Sequence, residues 1–537
     1  MKSINLLILG TMTAMAVLIS SCTGEIKQKE TTPPNILLCI ADDAAFPHMS
    51  AYGTSWVKTP GFDRVADQGI LLTNAYTPNA KCAPSRSILL TGRNSWQLEE
   101  AANHWCYFPE KFKTSFEAFT EQGYHVGFTG KGAEPIVEGE IDGNPRLLTG
   151  KEYGEKKLTP PTSHISNTDY AENFREFIKS KPDDKPFCFW YGAKEPHRGY
   201  EFKSGVNKAN KSLDQIDRVY DFWPDIDSVR HDILDYAMEV EHFDQHVQKI
   251  LTILAEEGEL KNTLVIVTSD HGMPFPRAKG QAYERSNHVP MAIMWKNGIE
   301  HTGRIVNDFV SFADIAPTMF EVSSINPEEA GMEPMVGRSL TDIMYSDKSG
   351  TVNPTRDHMI IGKERHDIGR PDDVGYPIRG IIKNHYLYVH NFETNRWPAG
   401  NPETGYLNCD GSPTKTVILD RWNNSGEHKY WKWSFGKRPQ EELYFLKDDP
   451  DCINNLADLD AYDDIKEKLK NQLFSELKEQ GDPRMHGNGA VFDDYDYANP
   501  EGENFYERHK LGEEMNTSWV NDSDFRPEQN LEKKKDN

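Results

Sequence analysis

Cysteine is scarce in this chain, and the little there is forms no pattern. There are 7 in 537 residues: Cys22, Cys39, Cys82, Cys106, Cys188, Cys409 and Cys452, with no C-x-x-C pair among them. A disulfide framework is therefore not indicated, although an exported chain could close an isolated bridge. No H-E-x-x-H occurs either, so the helical metalloprotease arrangement is absent. Positive charge is short as well: 60 Lys and Arg stand against 84 Asp and Glu, a formal charge of −24. That balance argues against nucleic-acid binding, which wants a basic surface. An anionic substrate would have to find its positive field inside a local pocket. Long apolar runs are missing too, and the N-terminal one, from Ile4 to Ile19, is a little short for a membrane span.

The length exceeds one ordinary domain, so a large domain with a smaller companion is expected. Lys2 and the apolar run read as a signal peptide over residues 1–21. Ile19-Ser20-Ser21-Cys22 resembles a bacterial lipobox, whose cysteine is lipidated and becomes the mature first residue. Residues 22–33 are polar and read as a tether. The expectation is an exported protein, lipid-anchored in the bacterial periplasm or outer membrane, meeting the membrane through that anchor alone.

Four later apolar runs have the character of strands buried on both faces, and each ends in chemistry. Asn35–Ala41 runs into Asp42-Asp43, and the strand within 123–130 into Lys131. Pro186–Gly192 leads to Lys194-Glu195-Pro196-His197-Arg198, and Thr263–Ser269 to Asp270-His271-Gly272. Ligands of open α/β sheets gather at the carboxyl ends of strands. Two adjacent carboxylates there repel unless a cation sits between them, whereas an Asp-Asp pair in an ordinary loop is simply solvated. Between the first two runs stands Cys82-Ala83-Pro84-Ser85-Arg86, followed by an apolar run that Thr91-Gly92 closes. Proline suits a first helical turn, and helix N-terminal N–H groups favour an anion. A helix starting at Pro84 would let the Arg86 guanidinium reach back to position 82. Taken alone, the stretch could also be a buried thiol beside a turn. Residues 231–258 carry a helical apolar stripe including Ile233, Val240, Phe243 and Leu251. His242 and His246 on it lack a third ligand and read as a polar helix face.

Cys82 to Gly92 resembles the sulfatase signature C-x-P-S-R-x-x-x-L-T-G. The resemblance runs over roughly residues 34–460. Asp42-Asp43, Gly130-Lys131, Pro196-His197, Asp270-His271-Gly272, Lys279-Gly280 and Val289-Pro290 follow in the family's order. Glu442-Leu443-Tyr444, Asp448-Asp449-Pro450 and Asn454-Asn455-Leu456-Ala457 resemble its C-terminal pattern. The resemblance implies an alkaline-phosphatase-like α/β/α sandwich as catalytic domain over 34–350. It implies a smaller C-terminal α+β domain over 351–480, an antiparallel sheet plus a helix near 463–480. Residues 481–537 remain as an extension that matches no motif.

For the chemistry, the resemblance implies that a maturation enzyme oxidises Cys82 to formylglycine (3-oxoalanine), whose hydrate is the nucleophile. Asp42, Asp43, Asp270 and His271, with residue 82, would hold one divalent cation. Calcium is the first expectation, although imidazole is softer than calcium usually prefers. Arg86 would support the nucleophile, Lys131 and Lys279 grip the sulfate, and His197 protonate the leaving group. One position departs: the family's G-K-x-H reads Gly130-Lys131-Gly132-Ala133 here.

Gly272-Met273-Pro274-Phe275-Pro276, Glu195-Pro196-His197-Arg198 and Tyr376-Pro377-Ile378-Arg379 resemble the heparan N-sulfatase (sulfamidase) branch. That implies Glu195, Arg198, His366 and Asp367 around the sugar. The expected function is exo-acting removal of sulfate, ester or sulfamate, from a sulfated oligosaccharide during polysaccharide degradation. The glycan would be a glycosaminoglycan or an algal polysaccharide such as ulvan. Two alternatives stand beside it. One is a phosphate or phosphonate ester hydrolase of the alkaline phosphatase superfamily, whose two-zinc forms need extra His and Asp ligands. The other is an inactive glycan-binding surface lipoprotein, which Ala133 alone favours.

Overall fold

The computed structural model describes residues 33–525; the signal-peptide positions, Cys22 and residues 526–537 lie outside the described residues. Alternation along the first strand divides the core into two layers. β1 (Asn35–Ala41) is buried at every position. Leu37, Cys39 and Ala41 enter one layer, and Ile36, Leu38 and Ile40 enter the other, which is what a continuous apolar run encodes. The same sheet contains β2 (Ile70–Tyr76), β3 (His125–Gly130), β4 (Lys151–Glu152), β5 (Phe187–Gly192) and β6 (Thr263–Ser269). β7 (His288–Met294), β8 (Arg304–Val306) and β9 (Val310–Ser311) complete it. The order is β8-β2-β7-β6-β1-β5-β3-β4, with β9 also on β2. β7 runs antiparallel to both β2 and β6, while β1, β3, β5 and β6 are parallel.

The 30-residue helix Asp227–Glu256 covers one face, sending Val240, Phe243, Val247 and Leu251 into the first layer. The helix Cys82–Thr91, buried throughout, sends Ile88, Leu89 and Leu90 into the second. His242 and His246 do not form a polar face, contrary to expectation. They are 6% and 0% exposed, and burial pushes their imidazoles down to about 4 and about 3. They are neutral core side chains.

The second sheet is antiparallel: β10 (His358–Lys363), β11 (Ile378–Lys383), β12 (Tyr386–Asn391) and β13 (Glu441–Phe445). One face packs Ile361, Ile382 and Leu387 against Tyr76 and Tyr283 of the sandwich. The other packs Ile360, Ile381 and Leu443 against Leu469, Leu473 and Leu477 of the helix Asp463–Glu479. An α/β/α sandwich carrying a small antiparallel sheet and helix is the architecture the sequence implied.

The extension does not trail away. Tyr497, Phe505 and Val520 cluster with Ile368 and Leu407. Lys415 Nζ pairs with Asp524 Oδ2 at 3.0 Å, both side chains fully buried. Arg379 on β11 ties the start of the extension to the sheet. Fully buried, it donates to Asp482 at 2.7 and 3.1 Å and pairs with Glu364 at 2.7 Å. Arg379→Ala leaves Asp482 buried without a charged partner and should cost about 3–5 kcal/mol. The readout is a lowered urea midpoint at nearly constant slope.

Candidate active site

Strand register builds this site. Ala41 at the end of β1 lies beside Ser269 at the end of β6, so the next residues, Asp42-Asp43 and Asp270-His271, emerge side by side. Gly192 of β5 is opposite Ile40 and Gly130, which brings Lys131 and the His197 loop to the same edge.

The helix begins at Cys82 rather than Pro84, with Lys81 in extended backbone as its N-cap. Arg86 accordingly does more than reach back to position 82. It donates to Asp270 Oδ2 at 3.1 and 3.0 Å and to Asp42 Oδ1 at 3.3 Å. It also donates to the carbonyls of Lys131 and Gly132 at 3.1 and 2.7 Å. One guanidinium thus braces three strand ends.

Cys82 Sγ lies 3.6 Å from Asp42 Oδ1 and 3.4 Å from His271 Nε2. Burial pushes its thiol up, yet Lys131, His271 and His104 together hold it well below the ordinary value, against the opposing Asp42. Cys39 and Cys188, also buried but without such neighbours, are pushed up by burial. Position 82 is built for negative charge, the two core cysteines are not.

The acidic cluster fits a divalent cation. The ligand atoms of Asp42, Asp270 and Cys82, and those of Asp43, His271 and Cys82, lie within 4.8 Å of one another in each set. His271 Nδ1 donates to the Gly272 carbonyl at 3.0 Å, which leaves Nε2 facing inward, 3.1 Å from Asp43 Oδ1. That oxygen is buried without a hydrogen bond. Burial raises Asp270 to about 7, with Asp42 adding and His271 and Arg86 opposing. Burial would lower His271, but Asp270 and Asp43 lift it to about 9. Burial would raise Asp42 too, but Lys131 and Arg86 hold it well below the ordinary carboxylate range. Oxygen donors with one imidazole, whose ring the Gly272 carbonyl orients, suit one divalent ion.

Lys131 Nζ is 2.6 Å from Asp42 Oδ2. Lys279 Nζ reaches Asp43 Oδ2 at 2.8 Å, Asp410 Oδ2 at 2.9 Å and His197 Nε2 at 2.8 Å. His197 Nδ1 donates to the Arg198 carbonyl at 2.6 Å, so Nε2 is the accepting nitrogen. Cys82, Lys131, His197 and Lys279 all line one cavity of about 340 Å³.

Of the four residues expected around the sugar, Asp367 lines that cavity, held by Lys81 at 2.6 Å and His104 Nδ1 at 2.9 Å. The other three are held by partners within the fold. Glu195, 2% exposed, accepts from the Ser166 N–H at 2.7 Å and from the Tyr170 hydroxyl at 2.8 Å. His366 is fully buried, with Nε2 on Asn79 Oδ1 at 2.7 Å. Arg198 forks onto Asp232 at 2.7 and 2.9 Å over the Phe275 ring, so its charge is already matched. Ala133 is 1% exposed, in the second apolar layer, and His104 joins His271 as a second imidazole acting on Cys82. Sequence reasoning passed over Lys81, His104, Asp410 and the aromatic wall of Trp105, Tyr497 and Trp519. Lys81 stood next to the signature and could have been read; Asp410 and Trp519 lie in polar stretches without periodicity or motif.

A cysteine at a helix start, an acidic cluster that fits a cation and two lysines, one directly after β3 and one in the loop after β6, suit hydrolysis of an anionic group. The sulfatase family model matches residues 34–325, and the chain belongs to the sulfatase family, as a sulfuric ester hydrolase. Human N-sulphoglucosamine sulphohydrolase is 27% identical over 496 residues, covering 84% of this chain and 91% of the relative. An ulvan-active sulfatase of Formosa agariphila is 27% identical over 458 residues, covering 84% and 81%. Among solved structures, one in complex with its substrate D-glucosamine-2-N,6-O-disulfate has TM-score 0.56 at 19% identity, covering 84% of this chain and 99% of that one. A structure from glycosaminoglycan metabolism in Bacteroides thetaiotaomicron has TM-score 0.61 at 17% identity, covering 86% and 99%. At such identities the structures show the fold.

Two outcomes follow from the geometry. Asp42→Asn removes a full charge from the acidic cluster, so the variant should lose on desalting the divalent cation that the parent retains, by elemental analysis. Arg198→Ala strands buried Asp232 and should lower stability by about 3–5 kcal/mol. Its activity should fall in the same proportion on a saccharide and on a small aryl sulfate; loss confined to the saccharide would return Arg198 to the sugar.

Proposed function

We propose that this protein removes sulfate, as ester or sulfamate, from sulfated carbohydrates of the glycosaminoglycan or ulvan kind. In this reading Cys82 is matured to formylglycine, and one calcium ion is held by Asp42, Asp43, Asp270 and His271 with residue 82. The observation that carries it is the position of Cys82, at the acidic cluster and inside the cavity whose walls are Lys131, His197 and Lys279. Hydrated formylglycine supplies a geminal hydroxyl as nucleophile and a second one whose loss of a proton frees the sulfate. Calcium supplies positive charge where Asp42, Asp43 and Asp270 converge.

The chain's own residues do the rest. Arg86 holds Asp42 and Asp270 apart at fixed distances, so the cluster is organised before substrate arrives. Lys131 and Lys279 turn their ammonium groups to the sulfate oxygens and stabilise charge that grows there. His197 acts as acid from its doubly protonated form, in which Nε2 gives its proton to the departing sugar oxygen or nitrogen and returns to the accepting state that faces Lys279, while Nδ1 stays on the Arg198 carbonyl. The relatives named for sulphoglucosamine and ulvan support a saccharide leaving group. Export, lipidation at Cys22 and encounter with a formylglycine-generating enzyme belong to the same reading.

A two-zinc phosphatase would need a second cation. Asp43, His197 and Asp410 do converge as a further group, but the Lys279 ammonium sits among them, 2.8, 2.8 and 2.9 Å away. A lysine occupies the place of a second ion, which favours one metal and a sulfate-gripping cation. Cys82→Ala should bring sulfate release to background while the urea midpoint stays near that of the parent, and peptide mapping of active parent protein should find an aldehyde at 82. Turnover by the folded variant, or two zinc ions per chain, would defeat the reading.

A further inference from the structure

The cavity around Cys82 adjoins a larger one. His197, Asp410 and Trp519 line both, and the second encloses about 730 Å³ against 340 Å³. Its walls come from four segments: residues 197–202, the first turns of the long helix at 228–235, the turn and helix start at 410–417, and the extension at 518–521. Ligand cavities run from about 300 to 1,000 Å³, so there is room for a sugar unit next to the one that reacts.

The charges on that wall decide what fits. Arg198 is matched by Asp232, and Asp410 by Lys279. Asp235 accepts from the backbone N–H groups of Lys203 and Gly205 at 2.8 Å each and from no side-chain cation. No lining residue brings an unmatched positive charge, and the cation nearest the rim, Lys203, holds its ammonium 5.4 Å over the Phe202 ring. A sulfate or carboxylate would be desolvated there beside Asp235 without a partner, at a cost that hydroxyl groups do not carry. Neutral groups are plentiful, with Ser228, Thr416 and Asn521 for hydroxyls. Phe202, 50% exposed at the rim, packs its ring against His231 and still leaves aromatic surface for the apolar face of a sugar.

We propose that this second cavity is the subsite for the sugar adjoining the sulfated one, and that it takes an uncharged sugar, neither sulfated nor uronic. The proposal rests on the sulfated-carbohydrate reading and narrows it.

The test compares kcat/KM for three probes: glucosamine carrying N- or 6-O-sulfate, the same sugar linked to a neutral hexose, and the same sugar linked to a uronic acid. The neutral disaccharide should exceed the monosaccharide by about tenfold, the worth of one or two well-placed contacts, and the uronic disaccharide should show no such gain. Phe202→Ala and Ser228→Trp, one uncovering the rim and one filling the cavity, should abolish the gain and leave the monosaccharide rate unchanged. Lys194→Ala, on the opposite side of His197 from the proposed subsite and not among its lining residues, should preserve it. Equal rates on all three probes, preference for the uronic disaccharide, or a gain lost with Lys194→Ala instead would overturn the subsite while leaving the sulfatase reading intact. No release from any probe by the matured parent would defeat both.

Discussion

Everything in this site hangs on one guanidinium. Arg86, fully buried, binds a carboxylate from the end of β1, another from the end of β6 and two carbonyls from the segment after β3. Parallel register brings those strand ends level, but level strands alone would leave Asp42 and Asp270 repelling each other in a medium of low dielectric. A single planar fork meets both carboxylates and still has a donor pair for the backbone, which the point charge of a lysine could not do. The helix that delivers Arg86 also delivers Cys82 one turn earlier, so the brace and the nucleophile are placed by the same ten residues. Moving one moves the other.

The rest of the charge is layered around that brace. A chain with a formal charge of −24 handles an anion by concentrating its cations at one spot, each tethered to a carboxylate: Lys131 to Asp42, Lys279 to Asp43 and Asp410, Lys81 to Asp367. Burial alone would have pulled Lys131 and Lys279 down, and their carboxylate partners keep both charged. The cations wait in place, preorganised, rather than being recruited from solvent.

How much of this was readable in the sequence depended on the kind of signal. Continuous apolar runs marked β1, β5 and β6 with hardly a residue in error, because strands buried on both faces leave no room for polar positions. The endings of those runs marked the acidic cluster for the same reason: a charged pair straight after such a run has to be somewhere special. Adjacency in sequence was a poorer guide. Glu195 and Arg198 flank His197, and it was natural to turn them toward the sugar as well. The chain around a cavity alternates, however, and these two side chains spend their charge on Ser166, Tyr170 and Asp232. His366 beside Asp367 fails in the same way, one facing the cavity and one facing Asn79. His104, Asp410 and Trp519 were invisible because each reaches the site from a loop whose course only tertiary packing determines.

Position 133 shows how far such packing can rearrange a site without emptying it. The family pattern places an imidazole two residues beyond Lys131, and read along the sequence Ala133 looks like a lost group. In the fold its side chain belongs to the apolar layer under the sheet, where an imidazole would be buried without need. Besides His271, Cys82 has the imidazole of His104 nearby, on a loop whose backbone N–H donates to the Arg365 carbonyl at 2.9 Å and whose ring is oriented by Asp367. Arg365 and Asp367 follow β10 of the smaller sheet, and Arg365 in turn donates to the carbonyls of Tyr495 and Asp496 in the extension. His104 is thus positioned by a chain of contacts through the C-terminal part of the molecule. That ties the extension, which carries no motif, to the nucleophile itself, and explains why a segment with no recognisable pattern packs so closely against the pocket.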